Sequence, residues 1–182
     1  MKNSTLSVLV VLMANAFLFA CVPSKAEPDA KALEHYHLAG DYVTQGKMDL
    51  AIEQYTKAIS IDPEYAAAYF DRGIAFQGIG DYDRAIADYT QAIDLDPEYA
   101  SSYYHRGVVY YYQGDLDKAI SDLEKATELD SSYALAYAVS GQVYFELGEV
   151  ELAIANYENA LELDLPQYHK KVIEEILKDL RP

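Results

Sequence analysis

The chain repeats itself every 34 residues, and no other feature restricts its fold so severely. Arg72 to Ala100 reads RGIAFQGIGDYDRAIADYTQAIDLDPEYA, and Arg106 to Ala134 reads RGVVYYYQGDLDKAISDLEKATELDSSYA. Gly46, Gly80, Gly114 and Gly148 share one register, as do Ala51, Ala85, Ala119 and Ala153. Ala58, Ala92, Ala126 and Ala160 form another set, and Asp62, Asp96, Asp130 and Asp164 a fourth. A small residue also recurs at Ala39, Gly73, Gly107 and Gly141. Self-similarity at such a period marks an array of supersecondary units, each too small to bury a core unless its neighbours cover it.

Each period reads as two helices. Tyr69, Gly73 and Phe76, then Ala85, Ile86, Tyr89, Ala92 and Ile93, return at the three- and four-residue spacing of an amphipathic helix. The glycine at 46, 80, 114 or 148 stands where a first helix would end in a left-handed residue. Asp62-Pro63 and Asp96-Pro97 are expected to open the next repeat, with Asp capping and Pro at the first helical position. The small residue at 39, 73, 107 or 141 is expected to face the alanine at 51, 85, 119 or 153, so that the paired helices approach closely. The fold class is all-α, an α-solenoid.

This pattern resembles the tetratricopeptide repeat (TPR), a 34-residue helix pair with aromatic, small, aromatic, Ala, aromatic, Ala and Pro at set positions. The resemblance gives four copies, 32–65, 66–99, 100–133 and 134–167. The third copy departs at Leu123 and Ser131, and the fourth moves its proline to Pro166. Residues 168–182 carry Val172, Ile173, Ile176, Leu177 and Leu180 on one stripe, as expected of a helix capping the open end of the stack.

The first residues have a different character. Residues 1–20 begin with a lysine and then run apolar from Leu6 to Ala20, the shape of an export signal. They end in LFA followed by Cys21, the single cysteine of the chain. That end resembles the lipobox of bacterial lipoproteins, which implies cleavage before Cys21, lipidation of its thiol and membrane anchoring. Residues 21–31 then form the lipidated cysteine and a proline-containing tether. A competing cut after Ser24-Lys25-Ala26 would release a soluble periplasmic or secreted protein instead. The localisation expected from the lipobox is the bacterial cell envelope, at the periplasmic face of the outer membrane.

Charge and motifs narrow the function. A formal net charge of −16 disfavours contact with a phosphate backbone, so no nucleic acid is expected. Gly40 to Met48, GDYVTQGKM, misses a phosphate-binding loop by its spacing and by Met48 in the magnesium-binding place. His35 and His37 lie on opposite sides of a helix, and His105 and His169 have no ligand partners at metal spacing. No cofactor, no metal and no enzymatic activity are expected.

In the TPR family the first helix of each pair lines a concave face that holds an extended peptide or a partner helix. Tyr36 and Val43 would lie there from the first repeat, and Phe70, Ile74 and Gln77 from the second. Tyr104, Val108, Tyr111 and Tyr112 would come from the third, and Gln142 and Phe145 from the fourth. The Lys and Asn with which one TPR subclass grips chaperone tails are replaced here by Phe70, Ile74, Tyr104 and Val108. Arg72 with Asp88, and Arg106 with Asp122, read as contacts within a repeat. The same tyrosine stripe has a second reading, packing of one repeat on the next, and the sequence does not choose between the two. The expected role is a tethered scaffold that binds a protein or peptide partner through an aromatic groove. The alternative is a self-associating structural protein of the envelope, a homodimer formed through the groove or an exposed edge of the stack.

Overall fold

A computed structural model describes residues 27–180 as helices joined by short turns. The signal stretch and Cys21 lie outside the described residues. The first repeat comprises α1 (Ala30–Thr44) and α2 (Met48–Ile61), and the second α3 (Ala66–Gly78) and α4 (Tyr82–Leu95). The third comprises α5 (Ala100–Gln113) and α6 (Leu116–Leu129), and the fourth α7 (Ala134–Leu147) and α8 (Val150–Glu162). A final helix, α9 (Gln167–Leu180), follows. Every helix packs most extensively against its sequence neighbour, the arrangement of an α-solenoid. No helix among the described residues is long and apolar enough to cross a membrane.

The turn chemistry shows why the period holds. Gly46, Gly80, Gly114 and Gly148 all have positive φ, between 70° and 83°. A side chain with a Cβ rarely adopts that conformation, so the turn between paired helices depends on glycine at this register. The next residue then resets the chain, as where the Asp81 and Asp115 carboxylates accept from the Arg84 and Lys118 backbone N–H at the starts of α4 and α6.

The Asp-Pro pairs behave differently from expectation. Asp62 is the C-cap of α2, and α3 begins only at Ala66 behind an N-cap Tyr65 that makes no side-chain cap. The Asp62 carboxylate accepts from the backbone N–H of Glu64 and, across the repeat, of Asp29. Proline after a C-cap stops a helix without forfeiting a hydrogen bond. These pairs therefore close one helix rather than open the next.

The core is built from the small registers. Ala51, Ala85, Ala119 and Ala153 are fully buried, as are Ala39, Tyr89 and Leu123. The closest approach to the small register is made by the residue four positions beyond that alanine. A Cβ added at Gly73 would sit 2.7 Å from Tyr89, and one at Gly141 2.7 Å from Tyr157. At Gly107 the alanine is among the nearest neighbours, through the Ala119 carbonyl at 3.1 Å, level with Leu123. The missing side chain thus makes room chiefly for a ring.

Two buried ion pairs lace the middle of the stack. Arg72 grips Asp88 with two hydrogen bonds of 2.7 Å and reaches back to Thr56 of the preceding repeat at 2.9 Å. Arg106 repeats this with Asp122 and Thr90. The bidentate fork fixes both helices of a repeat and the second helix of the one before. At the far end, Ile173 and Leu177 of α9 close over Ala153, Tyr157 and Ala160, which makes α9 the cap. Val172 is not part of that seal; it is 39% exposed.

Candidate protein-binding surface

The first helices of successive repeats, α1, α3, α5 and α7, stand side by side and form one face. The Tyr36 hydroxyl of α1 donates to the Asp71 carboxylate of α3 at 2.6 Å. The Tyr111 hydroxyl of α5 donates to Glu146 of α7, also at 2.6 Å. These bonds join residues 35 positions apart, one repeat plus one residue. Each can form only if neighbouring first helices are laterally adjacent.

On this face the residues expected to form a single groove divide into separate roles. Tyr36, Phe70 and Tyr104 are spent on packing between repeats. Each ring meets a tyrosine 29 residues further on, in the turn that enters the next repeat. The centroid distances are 4.9 Å for Tyr36–Tyr65, 5.1 Å for Phe70–Tyr99 and 4.8 Å for Tyr104–Tyr133. Phe70 is only 8% exposed and belongs to the core of the second repeat with Phe76 and Tyr89. Val43 packs inward on Ala39, Ala51 and Tyr55. Gln77 accepts from the buried Tyr89 hydroxyl at 2.7 Å, and Gln142 from Tyr157 at 3.0 Å. Both amides satisfy tyrosine hydroxyls that the core would otherwise strand.

What remains open is smaller. Ile74 is 37% exposed, Phe145 44% and Tyr112 60%. Tyr112 stacks on Tyr82 of α4, toward the preceding repeat, while its ring also lies 5.9 Å from that of Tyr111. Val108 is half-buried. Tyr111 is held by Glu146, which Gln142 also bonds at 3.0 Å. The Tyr111 hydroxyl is pushed up to about 12, first by that bond to Glu146 and then by burial. It stays a donor throughout the physiological range.

A recess of about 770 Å³ opens where the first three repeats meet. Tyr36, Tyr65, Phe70 and Tyr99 line it, with Asp71 among them and Asp62, Glu64 and Asp96 also in its wall. Burial raises the Asp71 carboxyl above its ordinary range, while the Tyr36 hydrogen bond opposes that shift. Burial also raises the Tyr36 phenol, with the Asp71 bond adding to it. Beyond Phe70, His105 sits among the rings of Phe70, Tyr89 and Tyr104, and burial pulls it down to about 4. It is neutral at physiological pH. Among the described residues no cluster of side chains is arranged to hold a metal ion.

Sequence reading overlooked Tyr65, Tyr99, Tyr133, Asp71 and Glu146. The three tyrosines were detectable, since they recur at 34 residues as the small and aromatic registers do. Asp71 was visible only as an exception, because its register holds His37, His105 and Val139 elsewhere.

Family models agree with this architecture. One described as tetratricopeptide repeat matches residues 70–134 and again 106–168, and a second, described as TPR repeat, matches 41–80. The chain belongs to the tetratricopeptide repeat family. No curated protein sequence matches this TPR chain significantly. Among solved structures it is similar to the MamA protein, at 28% identity over 73% of each chain with a TM-score of 0.70. It is also similar to the first TPR of Spaghetti (RPAP3) bound to the HSP90 peptide SRMEEVD, at 26% identity. That match covers 69% of this chain and 99% of the other, with a TM-score of 0.65. The second TPR domain of human RPAP3 with the HSP70 peptide SGPTIEEVD shares 29% identity. It covers 64% of this chain and 98% of that one, with a TM-score of 0.61.

Proposed function

We propose that this TPR protein is a membrane-tethered scaffold that holds a segment of a partner protein along the face made by α1, α3, α5 and α7, and acts by binding rather than by catalysis. The observation that carries the reading is that this face keeps Ile74 and Phe145 exposed after the packing of the repeats is complete. Tyr111 and Val108 lie between them in the register, partly covered. Aromatic and aliphatic side chains on an already ordered surface bind at little further entropic cost. The RPAP3 domains hold peptides on the same fold, which supports a peptide or protein partner here. Their bound segments end in acidic residues, and this chain has carboxylates rather than lysines beside Phe70. The partner segment is therefore of another kind.

The tether is the lipid on Cys21, at the periplasmic face of the outer membrane. A photo-reactive residue placed at Ile74 or at Phe145 in the envelope-located protein tests the binding face. Both positions should give the same discrete adduct, while Lys57, exposed on α2, should give none. Adducts confined to Lys57 or to α9 would overturn the reading.

A further inference from the structure

We propose that the recess where the first three repeats meet receives a basic side chain, lysine or arginine, from the partner segment, with its charged end at the Asp71 carboxylate and its stem between the Tyr36–Tyr65 and Phe70–Tyr99 ring pairs. The inference rests on the peptide-binding role proposed above and gives it a specificity. The first ground is that no cation among the described residues pairs with Asp71. Asp88 and Asp122, the buried aspartates of the stack, each hold an arginine in two short hydrogen bonds, whereas Asp71 is half-buried at the wall of the recess. Asp71 is met by the Tyr36 hydroxyl at Oδ2, and no lysine or arginine pairs with it among the described residues. A half-buried carboxylate that accepts one hydroxyl bond keeps acceptor capacity for a cation, and a charge-assisted bond formed there, partly out of water, is stronger than one on the open surface.

The second ground is the wall. The four rings line the same recess as Asp71, and a cation held between aromatic rings and a carboxylate is attracted by both. A recess of about 770 Å³ is ample for one long side chain. The third ground is charge. Asp62, Glu64 and Asp96 also line the recess, and among the described residues no lysine or arginine does. An acidic or carboxyl-terminal segment would be repelled, whereas a basic one is steered in. The fourth ground is that the repeat does not demand Asp71. Equivalent positions carry His37, His105 and Val139 in the same fold. A structural role as acceptor for Tyr36 would be served as well by an amide.

That last point supplies the test. Randomised dodecapeptides on a display library are selected on the immobilised full chain, and the enriched peptides are resynthesised with norleucine in place of any aligned basic residue. The expected result is a lysine or arginine at one aligned position. Its replacement by norleucine should weaken binding at least about tenfold, the loss expected for a charge-assisted hydrogen bond. Asp71→Asn should weaken the basic peptide by a similar factor, leave the norleucine peptide nearly unaffected, and melt no lower than the parent at neutral pH. Should Asp71→Asn fail to fold, Tyr99→Ala at the rim replaces it, with the same selective loss expected.

Enriched peptides without a basic position, or a basic peptide bound equally by Asp71→Asn, would overturn the inference and leave the groove reading standing. A concentration-dependent dimer that Asp71→Asn dissolves would make a second copy the occupant and overturn it too. Selection that enriches nothing would overturn both readings.

Discussion

Replacing Gly73 by alanine adds one methyl group, and the structure gives both terms of its effect. Gly73 lies inside α3, where glycine costs about 1 kcal/mol relative to alanine, so propensity alone favours the change. The new Cβ would stand 2.7 Å from Tyr89 Cε1 and 2.9 Å from Cδ1. Ordinary contact begins near 3.4 Å, so the ring or the helix must retreat by about 0.7 Å. The ring has little freedom to do so, because Tyr89 is fully buried and its hydroxyl is tied to Gln77 at 2.7 Å. Overpacking of this kind costs about 1–3 kcal/mol. The net effect is a loss of about 0–2 kcal/mol.

The first repeat shows the condition under which a methyl fits. Ala39 holds the equivalent position against Tyr55, and there Val43 replaces the glutamine that anchors the ring in the second repeat. Gly40→Ala is the matched control. It lies inside α1 with nothing within 4 Å of the added Cβ, so it should gain up to about 1 kcal/mol. The two substitutions should therefore differ by about 1–3 kcal/mol in opposite directions, at about 2–4 °C of melting temperature per kcal/mol. Thermal unfolding followed by far-ultraviolet circular dichroism suits a chain without tryptophan. A Gly73→Ala protein stabilised as much as Gly40→Ala would refute the claim that the ring sets the spacing of the repeat.

Two further outcomes follow from the same structure. His105 titrates near 4 when folded and near 6.5 when unfolded, so its neutral burial contributes stability that is complete above pH 6.5 and is lost as the pH falls through 4. The loss is on the order of 3 kcal/mol. His105→Phe should flatten the fall in melting temperature between pH 6.5 and 4, and an unchanged slope would mean that another group is responsible. At the amino terminus, wild-type protein should incorporate a labelled fatty acid and Cys21→Ser should not. An unlabelled wild type beginning at Glu27 would rule out the tether.

Much of this architecture was legible before any coordinates. The period, the small register and the left-handed glycines are local requirements, each imposed by a backbone conformation or a close approach that recurs in every copy. A helix ending at Gly114 and a second helix starting after it follow from φ of 80° and a capping Asp115 alone. The capping helix was legible because amphipathicity needs only its own residues, although Val172 shows that the buried arc is narrower than the apolar stripe.

The use of each aromatic was decided by the stack. Helical periodicity assigns a residue to a face, but a first helix in a solenoid has its own partner, the preceding repeat and an open side, and one stripe can serve any of them. Tyr36, Phe70 and Tyr104 share a register with the open face, yet tyrosines entering the following repeat claim them. The same rotation of one repeat against the next brings Asp71 of α3 under Tyr36 of α1, 35 residues earlier, and leaves that carboxylate without a cation among the described residues. Such pairings depend on the angle between repeats, a property of many contacts summed across the stack rather than of any one stretch of sequence.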